Sequence, residues 1–188
     1  MNPEFCDKYI KLNWHELWIK KSENIEKYFN KIKGKYQIID ESINYYISIL
    51  EMGIYFLREY DNYYDYGYLQ HKIIIDEIYC DKNNFKIDVK EREIAEYLKC
   101  IFFKRIYSLE KIHTLIQKVN KEINYKLVIA RLLMPNYYFY FVEKLIFEDR
   151  DNPELYEIVD RIKEYEEYIK TIVDEINKIN EKKIVLPF

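Results

Sequence analysis

The sequence predicts a mainly α protein, a single domain over residues 1–188 built as a helical bundle with one small β-hairpin near residues 70–89. Three observations predict it. Gly and Pro number three and four in 188 residues, roughly 4% against a typical sum of about 12%, too few turn makers for a sandwich or barrel. Apolar residues recur at helical spacing along most of the chain. Hydrophobic residues make up 49% and charged residues 34%, enough to bury a core and too evenly interleaved for disorder or a membrane span.

Over residues 11–33, Leu12, Leu17, Trp18, Ile25, Tyr28, Phe29 and Ile32 form an apolar stripe, and Gly34 stands where the helix stops. A second helix is expected over 40–60, with Ile43, Tyr46, Ile47, Leu50, Ile54 and Leu57 inward and Asp40 or Ser42 as its cap. The stretch DNYYDYGY (61–68) breaks the pattern. The Ile-rich runs 71–79 (HKIIIDEIY) and 84–89 (NFKIDV), joined by a turn-like CDKNN, read as the two strands of the hairpin. Helical spacing resumes at Lys90, with Ile94, Ala95, Leu98, Ile101 and Phe102 inward, and again over 108–119. The apolar segment 125–147 contains Pro135, which removes a backbone donor and clashes with the preceding turn, so it should kink or divide there. Asn152 and Pro153 supply an N-cap and a first-turn proline for one last helix over 153–179. The apolar tail KKIVLPF is expected to dock on the body.

Composition excludes several chemistries. Thirty basic against 33 acidic residues leave a net charge of −3 and no global footprint for nucleic acid. Cys6, Cys80 and Cys100 are odd in number and lack C-x-x-C spacing, which suits neither a disulfide framework nor a zinc site. His15, His71 and His113 are too scattered for a metal centre, and Arg105 and His113 are eight apart, unlike the closer Arg–His spacing of two-helix nucleases. No P-loop, G-x-G-x-x-G or G-x-S-x-G motif occurs. Thirty Ile and 21 Tyr against two Ala match the codon usage of an AT-rich genome. The clusters at Tyr63, Tyr64, Tyr66 and Tyr68 and at Tyr137, Tyr138 and Tyr140 therefore read as composition more readily than as stacking platforms. The N-terminus has no basic start followed by an apolar core, so a cytoplasmic protein is expected.

Six segments carry a resemblance in register: LWIKKSENIEKYF (17–29), ESINYYISILEMGIYFL (41–57), DYGYLQHKI (65–73), DVKEREIAEYLKCIFF (88–103), KLVIARLLMPNYYFYFVEKL (126–145) and KIVLPF (183–188). Together they resemble the C-terminal part of YutH-type spore coat proteins of the CotS family, whose fold is similar to aminoglycoside phosphotransferases and choline kinases. The most specific piece is ARLLMP, which resembles that family's Ala-Arg-Leu-Leu-Phe-Pro signature. The resemblance implies the helical C-terminal lobe of a kinase-like protein without its nucleotide lobe. Active phosphotransferases of this kind carry His-Gly-Asp followed by Asn, because an Asp orients the acceptor hydroxyl and an Asn helps to hold magnesium. Here the matching stretch is His71, Lys72 and Ile73, and the Asn position falls at Ile78, which can neither accept a proton nor bind a metal. Asp88 matches the metal-binding aspartate and Glu93 the residue that braces the catalytic loop, so His71, Asp88 and Glu93 are remnant positions. Arg131, set among apolar residues, is either a buried arginine paired with Glu93 or Glu96 or a recogniser of an anionic ligand.

The resemblance and its degraded positions imply a noncatalytic, pseudokinase-like structural or assembly protein of the endospore coat, with no cofactor, no metal and no nucleic acid. The expected partners are coat components or a second copy of the chain, and the expected locations are the mother cell cytoplasm and the spore coat. A degenerate, partner-dependent phosphotransferase and a protein-interaction adaptor are the alternatives.

Overall fold

A computed structural model describes residues 14–58, 66–69, 86–119, 123–148, 152–186 and 188. Among them the chain runs α1 (Trp14–Ile32), α2 (Gln37–Leu57), β1 (Tyr66–Leu69), β2 (Lys86–Val89), α3 (Lys90–Phe103), α4 (Leu109–Val119), α5 (Tyr125–Leu133), α6 (Asn136–Glu148), α7 (Pro153–Asp160) and α8 (Ile162–Ile179). The fold is mainly helical, and no described helix is long and apolar enough to cross a membrane.

The short helix α5 is the axis. Its sequence YKLVIARLL is apolar nearly all round, a pattern that requires neighbours on several sides. Only Lys126 and Arg131 escape full burial, while Ile129, Ala130, Leu132 and Leu133 are sealed from solvent. Helix α2 packs on α5, and α3 packs on it as well. The α2 contact depends on Gly53, where an added Cβ would come within 3.1 Å of the Ala130 carbonyl oxygen and 3.3 Å of the Trp18 ring. Helix α1 lies on α2, and α4 lies on α8 through the face bearing Ile112, Leu115 and Ile116.

Local chemistry explains most of the boundaries. Gly34 takes φ +82 just beyond α1, the left-handed turn that glycine adopts without a Cβ penalty. Asn124 caps α5 by accepting from the Lys126 N–H at 3.1 Å, and Asn152 caps α7 through the Glu154 N–H at 3.0 Å ahead of Pro153. At Met134 and Pro135 the apolar segment divides into α5 and α6. The tail after α8 is anchored by a two-way exchange between the Asn177 side chain and the Ile184 backbone, at 2.9 and 2.8 Å.

Three expectations are corrected. Helix α2 begins at Gln37, and neither Asp40 nor Ser42 caps it. Asp40 instead accepts from the Gly34 N–H at 2.9 Å, which closes the turn between the first two helices, and Ser42 donates back to the Ile38 carbonyl. The last helix is two helices, because the backbone at Arg161 leaves helical geometry at φ −95, ψ 14. The strand pair is antiparallel, with Tyr66 opposite Val89 and Leu69 opposite Lys86. Its second strand falls within the expected 84–89 run, but its partner is YGYL from the segment read as a break. The expected strand 71–79 lies outside the described residues.

Candidate functional site

Among the described residues, two buried charged side chains, Glu91 and Lys99, lie where α3 meets α5. Three side chains of α3 reach α5 at its start, middle and end. Glu91 accepts from the Asn124 N–H at 2.8 Å, beside the first turn of α5. Glu96 accepts from Arg131 Nε at 2.7 Å and from Asn136 Nδ2 at 3.3 Å. Lys99 donates from Nζ to the Met134 carbonyl oxygen at 2.6 Å. Because these contacts advance along both helices in the same direction, α3 and α5 run parallel. The first and last of them serve backbone groups that a helix end leaves without an intrahelical partner.

Helix α1 covers this ladder. Trp14 and Trp18 stack with ring centroids 5.6 Å apart, and the Arg131 guanidinium lies 5.3 and 5.9 Å from the two rings. The Arg131 and Glu96 side chains keep 11% and 18% of their exposure, so the pair is largely withdrawn from water. Burial alone would raise the Glu96 carboxyl, but Lys99, Arg131 and Arg92 outweigh it and hold Glu96 below the usual carboxylate range. Lys99 is 2% exposed. Burial, reinforced by Arg131 and Arg92 and opposed by Glu96, pushes its ammonium down to about 7.

Lys99 is among the residues lining a cavity of about 30 Å³, bordered by α2, α3, α5, α6, α7 and α8 and walled in part by aromatic rings. Tyr46 and Tyr138 stack there at 3.7 Å, and the hydroxyls of Tyr46, Tyr138 and Tyr165 are engaged by the Ile158 carbonyl, Ser42 and the Leu132 carbonyl. Arg161 lines the same cavity with its guanidinium 4.1 Å over the Phe102 ring. Its Nε donates to Glu164 at 2.6 Å and its Nη2 to the Phe102 carbonyl at 3.3 Å, whereas Nη1 is buried without a hydrogen-bond partner. The space suits one or two waters, far below the few hundred Å³ of a small-molecule pocket.

Of the residues singled out from sequence, the structure brings Arg131 and Glu96 into contact. Glu93 lies in the first turn of α3. Asp88 is in β2 with its backbone opposite Gly67. His71, Ile73 and Ile78 lie outside the described residues. Among the described residues no three His, Cys, Asp or Glu side chains converge as metal ligands would. Sequence reading missed Lys99 and Arg161. The signal for Lys99 was its setting in YLKCIFF, where the helical period places it with Ala95 and Phe102 on the inward side. Comparison with family models, with curated proteins and with solved structures finds no match.

Proposed function

We propose that this protein is a noncatalytic structural component that acts by assembling with other proteins, and that its setting is the endospore coat. The observation that carries the noncatalytic reading is the polar ladder between α3 and α5. Glu91, Glu96 and Lys99 are three ionisable side chains of α3, and each is bonded to a helix end or to Arg131. Charges placed in this way hold two helices in register. They leave no carboxylate of the ladder directed at a substrate-sized space. Ile73 and Ile78, standing where a phosphotransferase needs Asp and Asn, support the same reading.

An exposed aromatic surface supports an assembly role. Tyr28 of α1 and Phe147 of α6 meet edge to face at 5.5 Å while keeping 42% and 65% of their exposure. The coat assignment rests on the six-segment resemblance, and so does the kinase-lobe ancestry. Its test is a fluorescent fusion followed through sporulation in the source organism. Fluorescence gathering at the forespore surface is expected. Uniform mother cell fluorescence, with none retained on purified spores, would overturn the coat assignment.

A further inference from the structure

We propose that Tyr45 is a radical-forming tyrosine, whose ring gives an electron to a small one-electron oxidant while Glu166 takes its hydroxyl proton. The inference goes beyond the assembly reading and does not rest on it. Its starting point is where the tyrosine hydroxyls point. Tyr36, Tyr46, Tyr125, Tyr165 and Tyr168 donate to backbone carbonyl oxygens, which are too weakly basic to carry a proton away. Tyr45 on α2 donates instead to Oε1 of Glu166 on α8, at 2.9 Å. An ionised carboxylate accepts such a bond and can then hold the proton as a carboxylic acid. A phenol gives up an electron more readily when its proton has such a place to go, because the strongly acidic radical cation is never formed.

Tyr107 supplies the contrast. Its hydroxyl also donates to a carboxylate, that of Glu164, at 3.0 Å. Glu164, however, accepts two bonds from Arg161, at 2.6 and 3.0 Å, and these hold its carboxyl below the usual range. It is a poor place to leave a proton. Glu166 is not engaged in this way: Lys170, one turn on, donates to Glu167 at 2.9 Å and acts on Glu166 only through space.

The neighbouring rings give Tyr45 a route to the interior. Its ring meets Tyr46 edge to face at 5.1 Å, and Tyr46 stacks on Tyr138 at 3.7 Å. An electron vacancy on either buried ring therefore lies one or two ring contacts from Tyr45, where loss of the proton traps it. The step balances with the oxidant named. Tyr45 loses one electron to a species such as the carbonate radical, which becomes carbonate, and the O–H proton moves to Glu166 Oε1. A thiolate or ascorbate anion returns the electron, and the proton moves back from Glu166.

The test is exposure of the whole protein to peroxynitrite in bicarbonate buffer, which delivers the carbonate radical and nitrogen dioxide. A tyrosyl radical captures nitrogen dioxide as nitrotyrosine, and fragmentation in peptide mass spectrometry locates the nitro group. The expected result is several-fold more nitration at Tyr45 than at Tyr55, although Tyr55 is 68% exposed. The preference should vanish in the urea-unfolded chain. Glu166→Gln keeps an acceptor for the hydroxyl but cannot take its proton, so it should lower nitration of Tyr45 at least about tenfold and leave Tyr55 unchanged. Folded wild-type protein in which Tyr45 carries no more nitration than Tyr55 or Tyr46 would overturn the proposal. A preference that persists in the unfolded chain, or that survives Glu166→Gln, would also overturn it.

Discussion

Lys99 and Arg131 show how one helix interface can contain charges with opposite consequences for stability. Folding lowers the Lys99 ammonium from its ordinary 10.5 to about 7, so between those values the unfolded chain binds a proton that the folded chain does not. This contribution makes stability rise with pH from about 7 to 10.5, and the full penalty is present below about 7. The buried tyrosines act in the other direction. Burial raises Tyr46, Tyr138 and Tyr168, so their contribution is intact below about 10 and declines as pH rises beyond it. Urea denaturation of the wild type should therefore show greater stability at about pH 9 than at pH 6, and Lys99→Met should reduce that difference by a few kcal/mol. An unchanged pH slope in Lys99→Met would show that the lysine does not carry it. Arg131→Ala should cost about 3–5 kcal/mol, because it leaves the largely buried Glu96 without its partner, and adding Glu96→Leu should recover much of the loss. A single-variant cost below about 1 kcal/mol would reduce the pair to a surface-like contact. The Arg131–Glu96 contact was within reach of the sequence, because an arginine inside ARLLMP needs a carboxylate and the preceding helical pattern offers Glu93 and Glu96. The burial of Lys99 was not, since it depends on the end of α5 presenting the Met134 carbonyl to α3.

The elements most legible in the sequence are those whose boundaries rest on local chemistry. Asn152 with Pro153, the division at Pro135 and the stop at Gly34 each depend on one residue's own backbone or capping preference. Breaks imposed by tertiary contact left no such mark. The α7–α8 junction occurs at Arg161, a good helix former, whose side chain is drawn to the Phe102 carbonyl and to Glu164. Strand β1 is four residues with a glycine in second place, too short to show alternation, and its pairing with β2 is a long-range choice. The turn after α3 is also set by packing: Arg105 adopts φ 57, and the Ile106 N–H closes onto the Ile101 carbonyl at 3.0 Å. Gly53 gives the sharpest test of packing between elements. Alanine there would gain helix propensity of about 1 kcal/mol, but its methyl would press on a backbone carbonyl and a buried tryptophan ring. Gly53→Ala should therefore destabilise by about 1–3 kcal/mol, measured by thermal or urea unfolding. A stabilised variant would mean that α2 and α5 separate at little cost.

At the scale of the whole molecule, α2, α3 and α8 pack on α5 and the charged side chains of α3 bond its ends, so these buried polar groups act as a brace. The exposed pair of Tyr28 and Phe147 is then the kind of surface on which assembly can depend. Replacing both by Ser should leave the melting temperature within a few degrees and reduce co-sedimentation with coat extracts several-fold, since neither ring belongs to the buried core. Unchanged co-sedimentation would remove the support this pair gives to the proposed assembly role. The fold class was legible from glycine scarcity and helical period alone, whereas the function was not, because nothing in spacing distinguishes a brace from a site until its partners are known. The most direct test of the noncatalytic claim is the melting temperature of the purified protein with and without Mg·ATP and Mg·GTP at millimolar concentration. A ligand that binds only the folded state raises that temperature by mass action. The expected result is no magnesium-dependent shift. A clear shift that requires magnesium and disappears in Asp88→Asn would contradict the claim and establish a nucleotide site built around Asp88.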